Sequence, residues 1–237
     1  MSSKTTRRGS DPDDVKWFTG KGLSKLKAAQ EEIQWQLDRG YKPEGVVEFV
    51  GNHHQLSSRQ RIALKRTSFS KFQYVQRKRK LLPFEAAKEG CLNIDGFNLI
   101  ITLEVALSGS LLLLGKDDVL RDLAGLRGSY SLICFTGKAL ELIGKTLVEL
   151  SVPKVKFFLD APISNSGRLR ERILEHAQIW KIPVQVELVN NPDVVLSKME
   201  RVVTGDSVIL DACPSWLNLS KKIVGDHIKD AWVLSDL

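Results

Sequence analysis

The sequence predicts an α/β protein: a mostly parallel sheet flanked by helices, preceded by a small all-helical basic domain. Three observations carry this. Apolar residues before Pro83 recur at helical spacing, whereas after Gly90 strand-like runs alternate with helical ones, the pattern of βαβ units. Charge divides at the same place. Residues 1–88 hold 19 Lys/Arg against 9 Asp/Glu, and residues 89–237 hold 16 against 19. At 237 residues with 43% hydrophobic content, the chain has enough apolar material for one large domain or two modest ones.

Residues 1–14 are small, polar and charged and are expected to form a disordered tail. They show no apolar stretch of the secretory kind, and no apolar run in the chain is long enough to span a membrane. Residues 15–88 form the expected basic helical domain. Val15, Phe18, Leu23, Leu26, Ala29, Ile33 and Leu37 give one apolar face, which Gly40 ends. Pro43 opens a shorter helix that runs to Gly51. Ser57-Ser-Arg-Gln60 has capping-box spacing and predicts a helix from Ser58 to about Thr67. A further basic segment, Ser70–Lys80, is closed by Pro83.

Residues 89–237 form the expected α/β domain. Strands are predicted at Cys91–Thr102, Tyr130–Phe135, Val155–Leu159, Val184–Leu188, Ser207–Leu210 and Trp232–Leu234. Helices are predicted at Thr136–Leu150, Ser166–Lys181, Pro192–Val202 and Trp216–Val224. Cys91, Cys134 and Cys213 are scattered and form no Cys-x-x-Cys pair. They read as buried, inert thiols, and with the missing secretory signal they imply the cytoplasm.

Sheets of this kind bind ligands at the carboxyl ends of their strands, and several acids fall at strand edges. Asp95 follows the apolar start of the first strand, Asp160 directly follows Val155–Leu159, Asp193 opens the next helix, and Asp206 sits in Val203-Thr-Gly-Asp-Ser-Val208, at the entrance of the next strand. Capping or turn chemistry explains any one of them. Several at one edge repel each other, and a hard cation such as Mg²⁺ or Mn²⁺ removes that cost. Such a site suits phosphoryl-oxygen chemistry.

Three segments resemble the PIN-like nuclease superfamily, and its NYN branch in particular. They are Asp95-Gly-Phe-Asn98 after an apolar strand, Asp193-Val-Val-Leu-Ser-Lys-Met, and Val203-Thr-Gly-Asp206-Ser-Val-Ile-Leu. The resemblance implies a PIN-like sheet and a divalent-metal-dependent nuclease with RNA as the expected partner. Asp95, Asp193 and Asp206 would be metal ligands, and Asn98 would brace the first loop. The family pattern supplies a further acid, for which Glu104, Asp118 and Asp122 compete; Asp160 is a further candidate lining residue. The full length also resembles a prokaryotic family, common in archaea, with an N-terminal helical domain of unknown function. That likeness rests on Asp95-Gly-Phe-Asn-Leu-Ile, Arg121-Asp-Leu-Ala-Gly and Ser164-Asn-Ser-Gly-Arg168.

Two further constellations bear on binding. Ser164-Asn-Ser-Gly-Arg-Leu-Arg170 runs into a helix whose N–H groups, with Ser164, Ser166 and Arg168, suit a phosphate. It lacks the Gly-Lys-Ser/Thr ending of a P-loop. The basic stretch from Arg59 to Lys80 includes Arg77 and Arg79 and is interleaved with Phe69, Phe72 and Tyr74, which suits a nucleic-acid backbone. His53-His54 reads as a surface or capping pair, because no zinc-type pattern surrounds it. Two alternatives stay open: a non-catalytic RNA-binding protein, and an enzyme on a small phosphorylated ligand. Self-association is open as well.

Overall fold

In the computed structural model, residues 6–126 and 128–235 are described. Five helices come first: α1 (Asp14–Phe18), α2 (Gly20–Leu37), α3 (Pro43–His53), α4 (Ser58–Thr67) and α5 (Lys71–Lys80). The box at Ser57 forms as expected, with Ser57 Oγ accepting from Gln60 N while the Gln60 side chain accepts from Ser57 N. A second box, Ser70 with Gln73, starts α5 in the same way. A 3₁₀ turn (Phe84–Glu89) then leads into the α/β part.

That part comprises β1 (Leu92–Asp95), α6 (Gly96–Leu107), β2 (Leu112–Leu114), β3 (Leu120–Asp122), α7 (Thr136–Glu149), β4 (Val155–Asp160), α8 (Ser166–Ala177), β5 (Val184–Val189), α9 (Pro192–Leu196), β6 (Val202–Val203), α10 (Ser207–Ala212), α11 (Leu219–His227) and β7 (Val233–Leu234). A parallel sheet of order β5-β4-β1-β6 is joined by a small sheet of order β3-β2-β7. The parallel order reverses direction between β1 and β6, which is the switch point where such sheets leave a crevice. No helix among the described residues is long and apolar enough to cross a membrane.

Several expected strands are something else. Cys91–Thr102 is only four residues of strand and then α6, whose residues are nearly all buried. A helix covered on every side lacks an amphipathic stripe, so its apolar run reads as a strand. Ser207–Leu210 is helical because Asp206 caps it: its carboxylate accepts from Val208 N at 2.7 Å and Ile209 N at 3.4 Å. Tyr130–Phe135 is irregular, and buried Tyr130 is held through its hydroxyl, which donates to Glu104. The hairpin β2–β3 was not foreseen as a hairpin.

Residues 7–9 are not a free tail. Arg7 Nε donates to Ser108 O at 3.0 Å, Arg8 N to Ser108 Oγ at 3.0 Å, and Arg8 Nε to Glu104 Oε2 at 2.8 Å. Residues 1–5 of the expected tail lie outside the described residues. The helical part is equally bound to the rest. Phe18, Leu26, Ile33, Val50 and Leu64 pack in one core with Leu111, Leu113 and Leu123. Of the cysteines, Cys213 is buried and Cys91 half-buried, but Cys134 is exposed, so the expectation of three buried thiols fails there.

Candidate functional site

Each strand of the parallel sheet delivers an acid to its carboxyl edge. Asp95 ends β1 and Asp160 ends β4; Asp193 lies in the first turn after β5, and Asp206 follows β6. Asp95 and Asp206 therefore flank the switch point.

A short hydrogen-bond chain joins these two. Asp95 is buried and caps α6, its Oδ1 accepting from Asn98 N at 3.4 Å. Its Oδ2 accepts from Thr204 Oγ1 at 2.8 Å. Thr204 Oγ1 also accepts from Asp206 N at 3.0 Å, and Asn98 Oδ1 accepts from Gly205 N at 2.7 Å. Asn98 thus ties the β1 loop to the β6 loop. Gly205 is required by closeness: a Cβ there would stand 2.9 Å from Leu120 O and 3.2 Å from Asn98 Oδ1.

The electrostatics follow from crowding. Burial, with the nearby negative charges of Asp206 and Asp193, pushes the Asp95 carboxyl from 3.8 up to about 7, against the pull of Thr204 and Asn98. Burial also raises Asp193, helped by Asp206 and Asp160. Burial raises Asp160 too. The four acids therefore form one electrostatic arc.

The donor set is all carboxylate oxygen, which fits Mg²⁺ or Mn²⁺ and does not fit a softer ion. The aspartates are not a closed cage. Among the described residues, the three whose ligand atoms lie within 4.8 Å of one another are Glu32, His53 and His54. An open arc with few direct ligands is the usual arrangement for Mg²⁺, which keeps several waters.

A cleft of about 460 Å³ opens beside Asp206. It is lined by Asn98, Gly205, Asp206 and Asp122, together with Arg121 and the α4 residues Lys65 and Arg66. Sequence reasoning placed Lys65 and Arg66 in a general basic stretch but did not bring them to the acids. Thr204, the link between Asp95 and Asp206, was also missed; the one signal was its place inside Val203-Thr-Gly-Asp206.

Other candidates fall elsewhere. Glu104 is fully buried in the core, paired with Arg8 and accepting from Tyr130 and Thr136 hydroxyls, so it is not brought to the acidic arc. Asp122 lines the cleft with its carboxylate engaged by Arg66, Thr102 Oγ1 and Ala124 N. Asp118 pairs with Lys221, away from the arc.

Arg77 is 1% exposed and unavailable to a phosphate. Its Nη1 donates to Asp117 Oδ2 at 2.7 Å and its Nε to Asp211 Oδ1 at 2.6 Å. Burial pushes Asp117 up, but Arg121 and Arg77 outweigh it and hold that carboxyl below its ordinary value. Arg79 is exposed on α5. Phe69 lies buried beneath Arg77, Tyr74 is half-buried, and Phe72 is exposed. Ser164 and Arg168 are exposed at the start of α8, whereas Ser166 is buried. Asn165, at φ +67°, gives its side chain to Tyr130 O instead of capping α8.

Fold and site together define a mostly parallel α/β protein with an acidic strand edge, beside which residues of its own basic helical part line a cleft. The chain belongs to the family described as Domain of unknown function (DUF5616), whose model matches residues 84–222. A second family, Protein of unknown function (DUF434), matches residues 25–80. The chain is similar to the uncharacterised protein MJ0935 of Methanocaldococcus jannaschii, with 34% identity over 185 residues, 78% of this chain and 88% of that protein. No solved structure matches.

Proposed function

We propose that this chain is a divalent-metal-dependent nuclease of PIN-like type that cleaves RNA phosphodiester bonds at the edge formed by Asp95, Asp193, Asp206 and Asp160. The observation that carries the reading is the delivery of four acids, one from each strand, to a single sheet edge, where Asp206 and Asp193 bear on the buried Asp95 at the switch point. Asp95 and Asp206 would hold Mg²⁺ or Mn²⁺, with Asp193 beside them. Bound there, the metal supplies an activated water and charge stabilisation on the phosphoryl oxygens.

The chain's own residues have separate tasks. Thr204 and Asn98 fix the Asp95 carboxylate by donating to its two oxygens. Lys65, exposed on α4, and Arg66 face the cleft and attract the phosphates of the substrate. Arg66 keeps part of its charge on Asp122. The role of substrate holder thus passes from Arg77, which is buried, to the α4 residues.

Asp95→Asn and Asp206→Asn chains should fold and lose Mn²⁺-dependent cleavage of single-stranded RNA while still binding it. Cleavage by both variants at the wild-type rate rejects the mechanism. Salt-sensitive RNA binding with no cleavage by wild type points to a binding protein instead.

A further inference from the structure

The end of α3 presents a second arrangement of ligating atoms, remote in chemistry from the acidic edge. His53 is the last residue of α3, and His54 leaves the helix at φ −80°, ψ 0°. The two rings stand 5.0 Å apart between centroids, perpendicular to one another. Glu32, on the neighbouring α2, places Oε1 2.9 Å from His54 Nε2. One ligand atom from each of the three residues lies within 4.8 Å of the other two.

We infer that Glu32, His53 and His54 bind a divalent transition metal of the zinc class. The donor set selects the ion: imidazole nitrogen suits zinc, cobalt, nickel and copper over Mg²⁺. Two histidines and a glutamate leave a fourth position open, the arrangement of three-ligand zinc sites. Tetrahedral ligands at zinc distances stand about 3.4 Å apart, and rotation of the exposed His53 ring closes the remaining gap.

The frame beneath the ligands is rigid. Ile33, next to Glu32, and Val50, on α3, are fully buried in one core. Arg61 donates to Gly51 O at 2.9 Å and to Asn52 Oδ1 at 2.8 Å, pinning the carboxyl end of α3. The carbonyls of that end also favour a cation. A bound metal would staple α2 to α3 and hold one face of the helical part.

Titration of the full chain with Co²⁺ tests this through its visible absorption, with Zn²⁺ added to displace it. The expected result is a visible band that saturates at one Co²⁺ per chain and that Zn²⁺ removes. His53→Ala and Glu32→Gln, both at exposed positions, should weaken binding by about 100-fold or more, beyond what loss of a supporting residue costs. Asp95→Asn with Asp206→Asn should leave the band intact, which separates this site from the acidic edge. Absence of the band from wild type, or its survival in both the His53→Ala and Glu32→Gln chains, overturns the assignment.

Discussion

Asp95→Asn should stabilise the metal-free protein, and the gain should grow with pH. The buried Asp95 carboxyl titrates at about 7 when folded, against an ordinary 3.8. An acid raised by folding holds its proton longer in the folded chain, so folding takes up a proton across that window. Stability therefore falls as pH rises from about 4 through about 7. The ionised carboxylate costs about 4 kcal/mol at about pH 8 and about 2 kcal/mol at about pH 5. Asparagine keeps the shape and removes the charge. Its altered hydrogen bond to Thr204 costs about 1 kcal/mol at either pH and cancels in the comparison. Urea unfolding of both chains in a chelator should show the variant gaining about 2 kcal/mol on wild type between about pH 5 and about pH 8. Added Mn²⁺ should stabilise wild type and leave the variant unmoved. Parallel pH profiles for the two chains would refute the claim that Asp95 is buried at an electrostatic cost.

Two other expectations follow from the same geometry. Arg77→Met removes the guanidinium shared by Asp117 and Asp211 and should cost about 3 kcal/mol by urea unfolding, because Asp117 stays buried with less compensation. Lys65→Ala should weaken RNA binding similarly for all sequences and lower the slope of log affinity against log salt by about one, with cleavage chemistry intact at saturating RNA.

Much of the sheet was legible in the residues. Val155–Asp160 is a mostly apolar run of strand length, Val184–Val189 begins with apolar and polar residues in alternation, and α7 and α8 carry clear helical stripes, so their bounds came within a few residues. The order of Asp95, Asp193 and Asp206 was legible through the three motifs, but Asp206 reads as the entrance of a strand, whereas it follows β6 and caps α10. What was hidden depends on surroundings rather than on pattern. The burial of α6 on all sides erased its periodicity, and with it the knowledge that Glu104 points into the core. The hairpin turn between β2 and β3 uses Asp118 at φ +68° without an Asn-Gly signal, and its strands are only three residues long. The run Arg77-Lys-Arg-Lys80 reads as a solvated face. Only tertiary register turns Arg77 inward, where its carbonyl accepts from Trp216 Nε1 at 2.8 Å.

The two family matches meet near Pro83, yet that junction is not where the molecule would come apart. Arg8 crosses it to neutralise Glu104, Arg77 crosses it to reach Asp117 and Asp211, and Leu111, Leu113 and Leu123 are covered by helices from the other side. A cut at residue 83 would strand the buried Glu104 carboxylate, leave Asp117 with Arg121 alone, and bare an apolar face. The helical segment therefore forms a wall of the α/β core, and a chain cut there should unfold more readily than the whole. The two family segments thus share one packed interior, and their unfolding should be cooperative.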